Sequence, residues 1–321
     1  MKLFVTGACG YKGSVLVPKL LQVGHEVIAF DIQWFGNYLL QQPGLTVIRG
    51  DVRDTDGIDL DGVDAIIHLS SVANDPCGDL DPQLTWEISC LATMRLVDRA
   101  IRKGVKRFIY ASSGSVYGIK DEEQVMEDLE LVPVSAYNKT KMCAERILLS
   151  YANDIVLQIV RPATVCGFSP RMRLDLSVNM LTMQALANHR ITVFGGEQTR
   201  PNIHIDDVTD LYIFLLDNPQ HTGIFNAGFE NISIMDIARK VSEYAEAKIE
   251  ITPSNDPRSY RLNSDRLLAT GFRPNKTVAD AIKEIIGLYH QGALKPEESF
   301  HNLAWMQQHV LQAGERRRGG V

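Results

Sequence analysis

"FVTGACGYKG", residues 4–13, is the stretch on which the rest of the chain turns. An apolar run breaks at a glycine, and Gly7, Gly10 and Gly13 then recur at three-residue intervals. The spacing is one residue longer in its first gap than the dinucleotide fingerprint G-x-G-x-x-G. Taken alone it fits either a tight strand-to-helix turn or a backbone cradle for a diphosphate. Context favours the cradle. The glycines follow a strand-like run, open the helix-like "GSVLVPKLLQVG" (13–24), and precede an acid, Asp31, at the end of the next strand. Gly7 permits the turn, Gly10 lets backbone approach a pyrophosphate, and Gly13 lets helix pack on strand. The helix start then offers unpaired N–H groups and a positive dipole end to the diphosphate. A carboxylate at Asp31 can accept from both adenosine ribose hydroxyls and repels a 2′-phosphate. No arginine or lysine immediately follows it, so NAD is expected rather than NADP. Asp51, in "GDVRD" (50–54), follows the third strand, where it reaches an adenine amino group or forms a surface turn.

Outward from this turn, strand-like runs alternate with helical ones. The strands are expected at 2–6, 26–30, 45–50, 64–70, 107–112 and 154–160, with a long helix over 85–104. Continuous apolar runs of this kind describe a parallel sheet buried on both faces. The fold class expected is therefore α/β, a Rossmann-type doubly wound parallel sheet with a smaller C-terminal substrate-binding lobe. An NAD-binding domain over 1–165, a mixed α/β lobe over 166–300 and a C-terminal helix or tail over 301–321 follow from the change of rhythm near 165. Beyond it arginine becomes frequent, and helices are expected at 176–189, 206–217, 233–246 and 277–290. The final "ERRRGGV" reads as a solvated tail.

Composition excludes several classes. With 321 residues, 45% hydrophobic, 22% charged and a net charge of −6, the chain has an ordinary globular balance and no basic excess for nucleic acid or anionic lipid. It has no run of about 18 apolar residues that would span a bilayer, and its start lacks the long apolar segment of a signal peptide. Five scattered cysteines without a C-x-x-C pair make a poor disulfide frame or zinc site. A cytoplasmic protein with reduced thiols and no metal is expected, with Cys9 a small filler in the turn.

The chemistry lies in two further segments. "SAYNKTK" (135–141) places Tyr137 and Lys141 four apart, on one face of a helix. "YASSGSVYG" (110–118) brings Ser112 and Ser113 to the carboxyl end of the fifth strand. A free tyrosine, with a pKa of about 10, is a poor base at neutral pH. A lysine ammonium and an oxidised nicotinamide both favour the phenolate. Tyr137 can then take the proton of a substrate hydroxyl while the carbon gives up hydride. Ser113 would hold the same oxygen, and Lys141 would also bind the nicotinamide ribose.

Together "TGACGYKG", Asp31, "HLSS" (68–71), "SSGSVYG" and "YNKTK" resemble the extended short-chain dehydrogenase/reductase superfamily, in its NAD-dependent nucleotide-sugar epimerase/dehydratase branch. The match runs to about residue 290. The resemblance implies a catalytic Ser113, Tyr137 and Lys141. It lines the cofactor with Tyr11, Lys12, Val52, Leu69, Ser70, Ser71, Ala111 and Pro162 besides the residues above, and Ser89 stands where many relatives carry asparagine. It assigns Arg200, in "EQTRPNIHIDDV" (197–208), and Arg258, in "NDPRSYRLNSDRLLATGFRP" (255–274), to a substrate diphosphate, with Asn179 near it. Arg171 and Arg173, in "GFSPRMRLDLSVN" (167–179), face the sugar or its phosphates, or form structural ion pairs. A homodimer through a four-helix bundle is implied as well.

Dehydrating relatives place Asp-Glu after the catalytic hydroxyl; here Gly114 and Ser115 stand there, and neither does acid–base work. What remains is hydride chemistry at a sugar hydroxyl, carbon 4 by resemblance. Hydride is returned to the other face in an epimerase, or the reaction stops at the ketone in a dehydrogenase. A small-carbonyl reductase would not need Arg200 and Arg258 in this setting. A non-catalytic sensor of dinucleotides would not need both Tyr137 and Lys141.

Overall fold

The structure is a computed structural model and describes residues 1–254 and 259–311. In chain order, β1 (Lys2–Thr6), α1 (Gly13–Gln22), β2 (Glu26–Asp31), β3 (Leu45–Arg49) and β4 (Ala65–His68) form the first half of the central sheet. There follow α2 (Asp75–Leu80), α3 (Pro82–Trp86), a π-turn (Glu87–Leu91), α4 (Ala92–Arg102), β5 (Arg107–Ala111), α5 (Ala136–Ser150) and β6 (Val156–Pro162). The helix expected over 85–104 is thus α3 and α4 joined through the π-turn, a one-residue bulge within an otherwise helical run.

The second half supplies β7 (Thr164–Cys166), α6 (Ser177–Asn188), β8 (Arg190–Phe194), β9 (Thr199–His204), α7 (Ile205–Asp217), β10 (Gly223–Ala227) and β11 (Glu230–Ser233). It ends with α8 (Ile234–Tyr244), β12 (Lys248–Thr252), α9 (Asp265–Leu268), α10 (Val278–His290) and α11 (Asn302–Met306).

The main sheet runs β10-β6-β5-β4-β1-β2-β3, with every pair parallel. Leu3, Val5, Ala29, Ile66, Phe108 and Ile159 are all fully shielded, as a sheet covered on both faces requires. Strand order reverses between β1 and β4, the switch point at whose carboxyl ends ligands bind in such sheets. His68, at the end of β4, bonds Thr6 of β1 (2.6 Å) and Thr93 of α4 (2.9 Å). Burial first, and Lys141 second, drives its pKa down to about 3, so it is a neutral crosslink of the sheet.

Two elements depart from the division expected at residue 165. β10 hydrogen-bonds β6 as a seventh strand, and α7 packs on α1, with Lys19 reaching Asp206 and Asp210 at 2.9 and 2.8 Å. The chain returns to the first layer because β6 would otherwise leave a buried strand edge unpaired. The smaller lobe is built from the sheets β11-β9-β7 and β12-β8, with α6, α8 and α10 around Ile191, Val193, Ile237 and Ile282. After α10 the chain crosses back. Met306 of α11 enters the core beneath β2 and β4, and Trp305 donates to the Trp34 carbonyl at 2.7 Å.

Candidate active site

The glycine turn leads straight from β1 into a cavity of about 350 Å3 at the switch point. Gly7 has φ +67°, and a Cβ there would lie 2.8 Å from the Ser70 nitrogen. A Cβ on Gly13 would lie 2.4 Å from the Ala8 carbonyl oxygen. Both glycines are therefore demanded by the protein's own backbone. Gly10 is different: a Cβ there would meet only the Gly7 oxygen, at 3.2 Å, and the residue faces the cavity. Among the described residues no hydrogen bond engages the N–H of Tyr11 or Lys12 at the start of α1. A cavity-facing Gly10 and free donors beside it fit a dinucleotide diphosphate.

Asp31 ties the end of β2 to this turn. One carboxylate oxygen accepts the Cys9 N–H (3.0 Å) and the other the Gln33 N–H (2.6 Å). Burial pushes its pKa up, against those two donors. Burial, then the charge of Asp31, raises the Cys9 thiol to about 12, so it stays protonated and fills space, as its place in the turn led us to expect. Asp51 also lines the cavity, but both of its oxygens are held by Arg53, Oδ1 by Nε at 3.1 Å and Oδ2 by Nη2 at 2.7 Å.

At the other end of the cavity, Ser135 caps α5 by accepting the Asn138 N–H, which fixes the helix start one residue before Tyr137. α2 packs tightly there, since a Cβ on Gly78 would fall 2.9 Å from that of Tyr137. Lys141 follows one turn later, fully buried, and donates to the Ala111 carbonyl at 2.7 Å. Its ammonium lies 6.0 Å from the Tyr137 ring centre and 4.8 Å from that of Tyr110. Ser113 Oγ lies 2.7 Å from Ser115 Oγ, which in turn bonds Asn138.

The charges in this site act on one another. Burial, with Lys12 second, lowers Lys141 to about 7, while burial and Arg173 lower Lys12 to about 8. Burial raises the Tyr137 phenol and Asp75 adds to that, while Ser113 and Arg173 pull it down. Tyr137 is thus held as the phenol, beside a lysine whose ammonium burial weakens. Two mutually repelling cations, Lys12 and Lys141, line the one cavity.

Nearly all the residues singled out from sequence line this one cavity: the glycine turn, Asp31, Asp51, Val52, Leu69, Ser70, Ser71, Ala111, Ser113, Tyr137, Lys141, Pro162, Arg173 and Arg200. Asn179 is the exception. It is fully buried, accepts the Gly167 N–H (3.0 Å), and donates to the Tyr11 hydroxyl and the Arg173 carbonyl, both at 3.0 Å. Its amide is spent holding the wall in place, so it does not reach the cavity. Arg258 lies outside the described residues. Ser89 is buried behind the site and bonds the Ser71 hydroxyl at 3.0 Å. Of the two uses left open for Arg173, the ion pair is present, to Asp175 at 2.7 Å, on a side chain that also lines the cavity.

Among the lining residues not assigned from sequence are Asp75, Asn74 and Asn302. Asp75 opens α2 and accepts from Ser135 at 2.6 Å. Asn74, at φ +76°, caps that helix through the Cys77 N–H and donates to Asp175 at 2.8 Å. The Asn-Asp-Pro run is a visible helix-start signal. Asn302 reaches the cavity from α11, and no local pattern foretells that.

A family model described as the NAD dependent epimerase/dehydratase family matches residues 3–228. Among curated relatives, UDP-glucose 4-epimerase of Lactobacillus helveticus is 25% identical over 311 residues, covering 88% of this chain and 89% of that protein. Among solved structures, MoeE5 in complex with UDP-glucuronic acid and NAD is 26% identical, with a TM-score of 0.79 over 91% of this chain and 100% of that one. UDP-glucuronic acid 4-epimerase from Bacillus cereus, in complex with UDP-glucuronic acid and NAD, is also 26% identical. Its TM-score is 0.77 over 91% and 99% of the two chains.

Proposed function

The chain belongs to the NAD-dependent epimerase/dehydratase family, and from that premise we propose that it inverts carbon 4 of a UDP-linked hexose or hexuronic acid through a transient keto-sugar. The observation that carries the reading is the meeting of Ser113, Tyr137 and Lys141 at the end of a cavity whose other end is the glycine turn and Asp31. NAD bound along it supplies the acceptor, and then the donor, of a hydride.

The chain's own residues handle the proton. Ser113 and the Tyr137 phenol hold the substrate hydroxyl oxygen. The Tyr137 phenolate removes its proton as the keto group forms, and the phenol gives the proton back as the inverted hydroxyl forms. Lys141 as an ammonium favours that phenolate, and so does Arg173. The negative charge of a dinucleotide in the cavity favours the ammonium forms of Lys12 and Lys141, so filling the site readies the base. Arg200 on β9, and Arg173 through the Nη1 that Asp175 does not hold, offer guanidinium donors to the sugar nucleotide's phosphates. Gly114 and Ser115 leave no carboxylate beside Ser113 for eliminating water, which supports epimerisation over dehydration. The same reading makes the protein a cytoplasmic homodimer paired through α4 and α5, near which Leu91 is exposed.

The test is a panel of UDP-sugars with NAD-loaded protein, following product stereochemistry and NADH absorbance together. An inverted sugar with no net NADH supports the reading. NADH accumulating in step with a keto product makes the protein a 4-dehydrogenase instead.

A further inference from the structure

Arg171 is among the most deeply buried side chains in the protein, at 2% exposure, yet it has no carboxylate partner among the described residues. Nη1 donates to the Met172 carbonyl (3.1 Å) and Nη2 to Asn302 Oδ1 (2.6 Å). Its guanidinium carbon lies 4.1 Å from the Phe35 ring centre. Nε has no hydrogen-bond partner. A guanidinium carries five N–H donors, and only two are engaged here. Buried polar groups in native proteins are satisfied as a rule, and an unpaired buried charge destabilises the fold. Burial, followed by repulsion from Arg173, lowers its pKa to about 10, against the attraction of Asp175, Tyr38 and Asp31.

The side chain is nevertheless held firmly in this incomplete state. Leu174 donates to the Phe300 carbonyl at 2.9 Å, Tyr38 bonds Glu297 at 2.8 Å, and Trp305 bonds Trp34 at 2.7 Å. The segment after α10 therefore straps the 171–174 loop against the residues that follow β2. Arg171, Phe35, Asn302 and Asp31 line the same cavity.

We propose that Arg171 is a cofactor-binding residue that works as a pair with Asp31 on the adenine ribose, and that Asn302 and Phe35 hold its guanidinium in place for this. A ribose hydroxyl both donates and accepts. Asp31 takes its proton in a hydrogen bond, and an idle Arg171 N–H donates to its oxygen. The strap makes this contact possible by burying the arginine before the ligand arrives. The proposal rests on the reading that this cavity takes NAD.

The experiment measures NAD binding by calorimetry, without sugar, on the full chain and on Arg171→Met, Arg171→Lys and Asn302→Ala, with melting curves of each protein with and without NAD. A hydrogen bond from a charged group predicts a loss of roughly 10- to 100-fold in NAD affinity for Arg171→Met. The melting temperature without NAD should hold or rise, because an unpaired buried charge has gone. Arg171→Lys and Asn302→Ala should lose less. An NAD analogue lacking the adenosine 2′-hydroxyl should bind the native protein more weakly than NAD, and Arg171→Lys should shrink that difference. Unchanged NAD affinity, or a fall in the melting temperature without NAD, overturns the proposal and leaves the cofactor reading standing. NADP binding the native protein as tightly as NAD, and losing most on Arg171→Met, overturns the ribose assignment in favour of a 2′-phosphate. Failure of the native protein to bind either dinucleotide removes the cofactor reading itself.

Discussion

Two buried arginines, one behind each end of the cavity, are equally shielded at 2% exposure and could hardly be more different. Arg161 on β6 meets Glu145 of α5 through two nitrogens, at 2.9 and 2.6 Å, and donates to the Tyr117 hydroxyl (2.7 Å) and the Glu127 carbonyl (3.2 Å). Tyr117 passes the chain of bonds on to Asn226 of β10, and Glu145 also bonds Ser112. This network lies one helical turn beyond Lys141 and pins α5 to β5, β6 and β10. Arg171 has a carbonyl, an amide and an aromatic face, and no carboxylate bonded to it. A charge completed inside the chain is scaffold; one left incomplete beside a cavity is waiting for something outside it. The reaction end is thus braced by bonds within the chain, and the proposal for Arg171 has the other end finished by its ligand.

The largest effect that would sharpen this contrast is Tyr137→Phe. Loss of the proton-transferring phenol should lower turnover about a hundred- to ten-thousand-fold with NAD affinity nearly intact, read by steady-state rates and calorimetry. Turnover within a few-fold of native would remove Tyr137 from the chemistry. Next, Arg161→Met leaves Glu145 as a buried unpaired carboxylate and should cost about 3–5 kcal/mol of stability in denaturant unfolding. The contrast with Arg171→Met would break if both variants destabilised the protein equally.

A smaller effect separates the glycines. Gly10→Ala should melt at the native temperature while binding NAD more weakly, whereas Gly13→Ala should unfold earlier, since its Cβ would press on backbone at 2.4 Å. Equal melting losses in both would contradict a ligand-facing Gly10.

The smallest effect is a pH dependence. With Lys141 lowered to about 7 and Lys12 to about 8, the free protein sheds protons from neutral pH upward. The negative charge of bound NAD holds those protons, so the complex binds more of them than the free protein does. NAD affinity should therefore fall as pH rises from about 7 to 9, by at most about tenfold per unit for each lysine. Calorimetry in buffers of different ionisation enthalpy should show proton uptake on binding. Affinity constant over that range would show that the two lysines do not meet the phosphates.

Much of this was readable from sequence because the signals are local. The glycine turn, Asp31 at a strand end and the four-residue step from Tyr137 to Lys141 each report one element, and the six first strands are near-continuous apolar runs. What escaped reading depends on chain returning from afar. β10 is a five-residue strand that opens on a glycine, and only its pairing with β6 gives it a place. Arg171 and Asn302 are 131 residues apart, and no periodicity links them. Asn179 has the right residue type for a phosphate contact. Which way an amide faces is decided by its three partners in the folded wall, and those were not visible in the motif.

The central claim is that hydride leaves and returns to one carbon while Tyr137 moves the proton. It is tested most directly with a UDP-sugar deuterated at carbon 4, converted by NAD-loaded protein in ordinary water. The account predicts that deuterium stays at carbon 4 of the inverted product. Loss of the label to solvent, or its appearance in released NADH, would contradict it.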